Sequence, residues 1–244
     1  MRRYLGGLSF VIVVGLIVAG VAVLLNHEAR LPGAVTGAPQ NGSVFVKEDV
    51  FPFAPCSDPD FVKTHPRYAT CGSNSLENVN WVTYSDPIIT LPRNTLVTME
   101  ITNYDSPTSL VDNYFLAPQG VSYNGQQNAI NLDGKVYTAN DTKSLTDSQN
   151  GVAASISHTF VIHSIVSSHQ PWFYVAVPVA GSTDTHADAA GMPNKPAVTT
   201  FSFMTPSQPG EYVWQCFVPC GSGFNGFGGP MSTKGYMSGT VTVQ

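Results

Sequence analysis

The sequence predicts an all-β protein, an antiparallel β-sandwich preceded by one apolar N-terminal helix. Segments that alternate apolar and polar residues recur along the chain, and turn residues separate them. Glycine and proline number 22 and 18 among 244 residues, as a turn-rich β protein requires. Hydrophobic residues make up 43% of the chain and charged residues only 11%, against about 25% charged residues in an average domain. This composition argues against a coiled coil and against general disorder.

The charge balance excludes one class of partner. The net charge is −5, with eleven Lys and Arg residues in total, so the chain lacks the basic surface that nucleic acid requires. A hydrolase has no support either, because the sequence contains no Gly-x-Ser-x-Gly and no His-Glu-x-x-His motif.

The N-terminal segment predicts a membrane anchor. Residues 5–25 contain no charged side chain, and as a helix they would extend about 32 Å, enough to cross the hydrocarbon core. Arg2 and Arg3 precede them, which predicts a cytoplasmic N-terminus and an extracytoplasmic domain. The alternative is a cleaved signal peptide, whose apolar core is usually shorter and ends at an Ala-x-Ala-like site. The sequence near Leu25 lacks such a site, so we expect a single-pass protein of the cell membrane.

The rest of the chain divides into a linker and one domain. Residues 1–25 are the predicted anchor and residues 26–41, which contain two glycines and two prolines, the predicted linker. Residues 42–244 are the predicted extracytoplasmic domain. The strands expected in this domain lie at 95–104, 158–163, 199–204, 211–217 and 239–243. In the first of them Val97, Met99 and Ile101 fall on one face, the period-2 pattern of a half-buried strand.

The four cysteines form two pairs in the sequence. Cys56 and Cys71 lie in a segment rich in turn residues, and in an exported domain they predict a structural disulfide. Such a loop would add about 3 kcal/mol of stability in the chain-entropy model. Cys216 and Cys220 lie four residues apart directly after a predicted strand. This second pair fits either soft metal ligands or a buried disulfide.

Three segments together resemble the copper domain of cytochrome c oxidase subunit II, a cupredoxin. They are Ile89–Asn103, Ser157–Ile162 and Pro209–Gly221, the last followed by Met231. The spacing Gly-x-Tyr-x-x-x-Cys-x-x-x-Cys-Gly in the third segment is the most specific of these signals. The similarity covers about residues 85–105 and 155–244, so residues 42–80 and 106–155 are expected to be additions. The resemblance implies a cupredoxin-like antiparallel Greek-key β-sandwich.

The resemblance also implies a copper site. The matching positions are the bridging cysteines Cys216 and Cys220, the histidine His158, the backbone carbonyl of Val218 and, as the nearest methionine, Met231. Two thiolates, an imidazole and a thioether form a soft donor set that suits copper. For His158 the alternative is a buried histidine bonded to a backbone carbonyl.

One expected ligand is missing. The family has a histidine four residues after the second cysteine, where this chain has Phe224, and Met231 follows Cys220 by eleven residues instead of seven. Neither the binuclear copper centre nor a mononuclear blue-copper site can be completed from the matching positions. The candidates for a substitute ligand are the histidines His163, His169 and His186, with Met237 as a second thioether. His27 and His65 are expected at the surface.

Two functions remain open at this point. In the first, the chain is an anchored, non-catalytic component of a respiratory electron-transfer complex and passes electrons through copper. Its expected partners are the membrane, other membrane subunits of the complex and a cytochrome or small copper protein; a copper chaperone or sulfocyanin-like carrier is a variant. In the second, the chain is a metal-free structural or docking subunit that has lost copper and holds Cys216 and Cys220 as a disulfide.

Overall fold

The computed structural model describes residues 34–36, 38–40, 43–53, 63, 81–108, 116–141, 156–165, 170–188, 191–221 and 226–244. All of them belong to one compact unit, Gly33–Gln244. The predicted anchor at residues 5–25 and the pair Cys56 and Cys71 lie outside the described residues, so both stay predictions. Within the described ranges, no helix combines the length and the hydropathy needed to cross a membrane.

The strands form two sheets. The first has six strands in the order β1-β5-β15-β14-β11-β12. Its strands are β1 (Ala34–Thr36), β5 (Ile88–Leu91), β11 (Ile156–Ser164), β12 (Tyr174–Ala180), β14 (Gly210–Gln215) and β15 (Ser238–Val243). Strand β11 lies in the interior of this sheet between β12 and β14, and it is buried on both faces through most of its length.

The second sheet has nine strands, with the main order β10-β9-β13-β6-β3-β2. These are β2 (Ala38–Gln40), β3 (Ser43–Phe51), β6 (Leu96–Asn103), β9 (Ala129–Leu132), β10 (Lys135–Thr138) and β13 (Ala197–Met204). The short strands β4 (Thr83–Tyr84), β7 (Ser122–Tyr123) and β8 (Gln126–Gln127) join through β3 and β13. A short 3-10 turn, Gly229–Met231, precedes β15.

The five predicted strands are confirmed with small changes at their ends. The predicted face of Val97, Met99 and Ile101 is buried along β6, while the residues between them are partly exposed. Strand β14 ends at Gln215, so Cys216 lies in the following loop and not in the strand. A period-2 pattern is a local property of the chain and can be recognised without knowledge of the strand's partner.

The prediction of purely antiparallel pairing is wrong at three strand pairs. Strands β3 and β6 run parallel from Val44↔Val97 to Val50↔Asn103. Strand β5 also runs parallel to both β1 and β15. Long stretches of chain separate the members of the pairs β3–β6 and β5–β15, and such crossovers permit parallel pairing where a tight hairpin does not. Both sheets are therefore mixed.

Part of the segment expected to be an addition is a central strand. Strand β3 pairs along its length with β6 and buries Val44, Val46 and Val50. Glu48 falls on the same buried face and interrupts its apolar pattern. The strand is therefore difficult to recognise from the sequence. Its carboxylate accepts hydrogen bonds from Ser85 Oγ at 2.9 Å and from the Asp86 backbone N–H at 3.1 Å. The predicted linker likewise contributes the two short strands β1 and β2.

An aromatic cluster joins the two sheets next to the candidate site. The Trp214 ring lies 4.8 Å from that of Tyr84 and 5.4 Å from that of Phe160, measured between centroids. The indole Nε1–H donates to the Pro87 carbonyl at 3.1 Å, and the Tyr84 hydroxyl donates to the Thr159 carbonyl at 3.1 Å. The cluster therefore fixes the part of β11 that carries His158.

Candidate metal centre

Three segments meet at one end of the sandwich. Strand β11 supplies His158, the loop after β14 supplies Cys216 and Cys220, and the loop after β6 supplies Asp105. Strands β11 and β14 are antiparallel neighbours with Val161 opposite Gln215, so the loop that follows β14 passes beside the start of β11. A register shift between Ile156 and His158 marks a β-bulge at this point, and such bulges redirect side chains.

The structure brings three of the predicted ligands together. His158 Nδ1 lies 2.9 Å from Cys220 Sγ, and the two cysteine sulfurs are 3.6 Å apart. One donor atom from each of His158, Cys216 and Cys220 lies within 4.8 Å of the others. Cys216 is 0% exposed and His158 is 2% exposed. Neither cysteine forms a disulfide, so this group could bind a metal ion.

Backbone and hydroxyl groups surround the buried sulfur. The Thr159 N–H and Oγ1 donate to Cys216 Sγ at 3.5 and 3.8 Å, and Thr159 Oγ1 accepts from the Phe217 N–H at 2.8 Å. The Val218 carbonyl accepts from the Cys220 N–H at 2.7 Å and lies 3.7 Å from Cys216 Sγ. The predicted carbonyl ligand is therefore beside the sulfur pair. Sequence reasoning missed Thr159, although it directly follows His158.

The three ionisable groups shift one another's pKa. Burial raises the pKa of Cys216, but the hydrogen bond with Cys220 and the adjacent His158 outweigh burial and hold this pKa well below its usual range. The hydrogen bond to Cys216, together with burial, raises the pKa of Cys220. Burial lowers the pKa of His158, but the hydrogen bond to Asp105 and the attraction of Cys216 raise it to about 9. In the metal-free group these shifts favour the thiolate form of Cys216 and the protonated form of His158, and they disfavour ionisation of Cys220.

A buried asparagine connects the loop after β6 to the start of β11. Asn103 is fully buried; its Nδ2 donates to Ser157 Oγ and, at 2.6 Å, to the Ala180 carbonyl. Its Oδ1 accepts from the Asp105 N–H at 2.9 Å. The sequence placed Asn103 only at the end of the segment Ile89–Asn103 and gave no role to its side chain. An asparagine at the end of a strand is the signal that could have indicated a side chain bonded to the backbone N–H two residues on.

Replacing Asn103 with alanine is expected to lower the free energy of unfolding by about 2–4 kcal/mol, because it removes several buried hydrogen bonds and leaves their partners unpaired. Urea denaturation followed by tryptophan fluorescence measures the change. Asn131→Ala is the matched control, since the Asn131 side chain is partly exposed and donates to Tyr123 OH at 3.1 Å. A loss for Asn103→Ala no larger than that of the control would contradict this role.

A cavity of about 380 Å³ opens over the group. Its polar lining includes Asp105, His158 and Cys220. The apolar lining comprises Pro52, Trp81, Val82, Val218, Pro219 and Pro230. Small solutes can therefore reach the side of the site that carries Cys220, while Cys216 remains enclosed in the core.

The other candidate ligands have different positions. His163 Nδ1 contacts its neighbour's backbone, the Ser164 carbonyl, at 3.2 Å, and His186 pairs with Asp184 at 3.0 Å with its side chain 83% exposed. Neither histidine belongs to the group of His158, Cys216 and Cys220.

The two candidate methionines follow the cysteines in the chain. Met231 is buried in the turn before β15, and the Met237 carbonyl accepts from the Cys216 N–H at 2.9 Å. Both thioethers stay predictions as ligands. Outside the described residues lie Phe224, His169, His27 and His65.

The solved structures to which the chain is similar share little sequence with it. No protein-family model matches the chain, and no curated protein does. Among solved structures the chain is similar to reduced rusticyanin (TM-score 0.33, 10% identity, 86% of this chain and 84% of that chain covered). It is also similar to rusticyanin from Thiobacillus ferrooxidans (TM-score 0.35, 10% identity, 86% and 82% covered). For a multi-copper oxidase from Pseudomonas thermotolerans the TM-score is 0.24, at 9% identity, with 85% of this chain but 32% of that chain covered. These overlaps are too loose to carry an assignment.

Proposed function

We propose that this chain is a cupredoxin-like copper protein that transfers electrons, with copper held by Cys216, Cys220 and His158. The observation that carries the proposal is the convergence of these three donors at one end of a two-sheet sandwich, within 4.8 Å of one another. Two sulfurs and an imidazole nitrogen form the soft donor set that copper prefers. The carbonyl of Val218 and the thioether of Met231 are the weaker ligands in this proposal.

The surrounding residues suit a redox site. Bound copper would supply one-electron chemistry, and the chain's part is to hold the ligands in one arrangement during electron transfer. Thr159 donates to the enclosed sulfur, and Asp105 accepts from the imidazole. When a metal binds, His158 Nδ1 and the Cys220 thiol must give up their protons, because metal ligands are deprotonated.

The wider setting proposed is the outer face of a membrane. The apolar segment 5–25 would anchor the chain with its N-terminus in the cytoplasm. The domain would then act as a non-catalytic subunit of a respiratory complex, resembling oxidase subunit II. Its partners would be other membrane subunits and a cytochrome or small copper protein.

Copper titration of the full-length chain, purified in detergent and reduced, tests the proposal. We expect one tightly bound copper per chain, because the described donors provide a single group of three, together with a sulfur-to-copper charge-transfer band and reversible one-electron oxidation. Two coppers with a delocalised EPR signal would also support electron transfer and would show that a further ligand completes a binuclear centre. A chain that binds no copper when fully reduced would contradict the proposal.

The second candidate function is a metal-free structural or docking subunit. The observation that favours it is that, within the described ranges, only one imidazole belongs to the group, while Phe224 occupies the sequence position of the family's second histidine. The sulfurs of Cys216 and Cys220 would then form a disulfide in the oxidising compartment. Mass spectrometry that finds no copper and no free thiol in the native chain would support this alternative.

A further inference from the structure

The histidine of the candidate centre has a carboxylate on the ring nitrogen that faces away from the cysteines. His158 Nε2 lies 2.9 Å from Asp105 Oδ2, and the opposite nitrogen, Nδ1, lies 2.9 Å from Cys220 Sγ. A carboxylate accepts but does not donate, so Nε2–H donates to Asp105, and Nδ1 is the nitrogen available to a metal. We propose that Asp105 is the positioning residue of this centre, which selects Nδ1 as the ligand atom and tunes the bound metal through the imidazole. The inference rests on the proposed copper function.

The carboxylate is itself held in one orientation. Asp105 Oδ1 accepts from the Ser106 N–H at 2.8 Å, which leaves Oδ2 for the imidazole. The backbone is held on both sides, because the Asp105 N–H donates to Asn103 Oδ1 at 2.9 Å and its carbonyl accepts from the Ser182 N–H at 2.8 Å. A side chain anchored at the backbone and at both oxygens is what positioning requires, and a flexible surface ion pair would not provide it.

The same contact has an electronic consequence. A carboxylate that accepts from the far nitrogen of a metal-bound imidazole makes the ring a stronger donor. A stronger donor and a nearby negative charge both favour the more positive oxidation state of the metal. Asp105 should therefore lower the reduction potential of bound copper, in addition to raising the affinity of the site.

Substitutions of Asp105 separate its effect on the reduction potential from its effect on the copper affinity. Asp105→Asn removes the charge and keeps an oxygen that can accept from Nε2–H, so the reduction potential should rise because the affinity for copper(II) falls while the affinity for copper(I) changes little. Asp105→Ala removes the acceptor as well, and the copper affinity should fall by about 10- to 100-fold, as is usual when such a partner is lost. Asp105→Glu should restore part of both properties.

The charge control is Asp133→Asn, which makes the same charge change in the turn between β9 and β10. Asp133 has a positive φ of 49°, a conformation that asparagine accepts readily. The reduction potential and the copper affinity of Asp133→Asn should both match those of the unaltered chain. If Asp105→Ala keeps both as well, Asp105 is not a positioning residue, although the copper function stands.

A measurement on the metal-free chain keeps the inference testable if no copper binds. Nitrogen-15 NMR of the histidine rings should show a hydrogen-bonded Nε2–H of His158 in the unaltered chain and its loss in Asp105→Ala. That loss together with an absence of copper binding would contradict the copper function while supporting the His158–Asp105 contact. An Nε2–H signal unchanged in Asp105→Ala would overturn the positioning role directly.

Discussion

Replacing Cys216 with serine will abolish stoichiometric copper binding. Cys216 Sγ is the most enclosed donor of the group, and Thr159 donates to it from both its N–H and its Oγ1. A hydroxyl is a harder ligand and a weaker acid than a thiol, so it cannot replace a thiolate toward copper. The loss should exceed the about 10- to 100-fold that outer-shell residues cost. Competition against a chromophoric copper chelator measures the affinity, and the charge-transfer band should disappear.

Because Cys216 is buried, Cys216→Ser could lose copper through misfolding. A second variant at a less buried ligand separates the loss of a ligand from the loss of the fold. Cys220 is only partly buried and lines the cavity, so Cys220→Ser should fold normally and still lose most of the affinity. The double variant Cys56→Ser/Cys71→Ser removes the other two cysteines, which are distant from the motif in the sequence, and should keep the copper although it loses the stability of the predicted disulfide. Copper binding unchanged in both Cys216→Ser and Cys220→Ser would show that the site lies elsewhere.

The largest loss of stability is expected from Trp214→Ala. Trp214 is fully buried and packs between Tyr84 and Phe160, and its Nε1–H donates to the Pro87 carbonyl. Truncation of a buried aromatic ring leaves a cavity and lowers the free energy of unfolding by about 3–5 kcal/mol. The lost indole hydrogen bond adds to the effect, while the Pro87 carbonyl still accepts from the Thr240 N–H at 2.8 Å. Urea denaturation followed by far-ultraviolet circular dichroism measures it.

The chain offers a matched tryptophan as a control. Trp172 is 81% exposed and stacks on Tyr174 with ring centroids 6.3 Å apart. Trp172→Ala should change the free energy of unfolding by less than about 1 kcal/mol, because it loses one exposed ring contact and leaves no cavity. Equal losses for the two variants would contradict the core position of Trp214.

Much of the strand content could be predicted because strand periodicity is local. The alternation in 95–104 and the β-rich segments at 158–163, 199–204, 211–217 and 239–243 correspond to β6, β11, β13, β14 and β15. Strand β3 was missed as part of the sheet, since Glu48 on its buried face breaks the apolar pattern. The donors Ser85 Oγ and the Asp86 N–H help to make a carboxylate acceptable there.

The candidate ligands could be predicted from the sequence. The residue that hydrogen-bonds to the histidine of the site could not. The spacing of Cys216 and Cys220 and the resemblance to a copper domain indicated the sulfurs, and the resemblance indicated His158. Asp105 is 53 residues from His158 in the chain, and Cys220 is 62 residues from it. No periodicity relates positions so far apart, so the supporting carboxylate became visible only in the fold.

The sequence by itself determined the class of secondary structure, the position of the main strands and the chemistry of the predicted ligands, because side-chain type and local alternation carry that information. The tertiary structure decided the parallel pairing of β3 with β6 and the choice of His158, instead of His163 or His186, as the imidazole beside the cysteines. It also decided that Asp105 contacts His158 Nε2. These outcomes depend on which segments, far apart in the chain, pack together. That packing is set by the whole domain and not by any local pattern of residues.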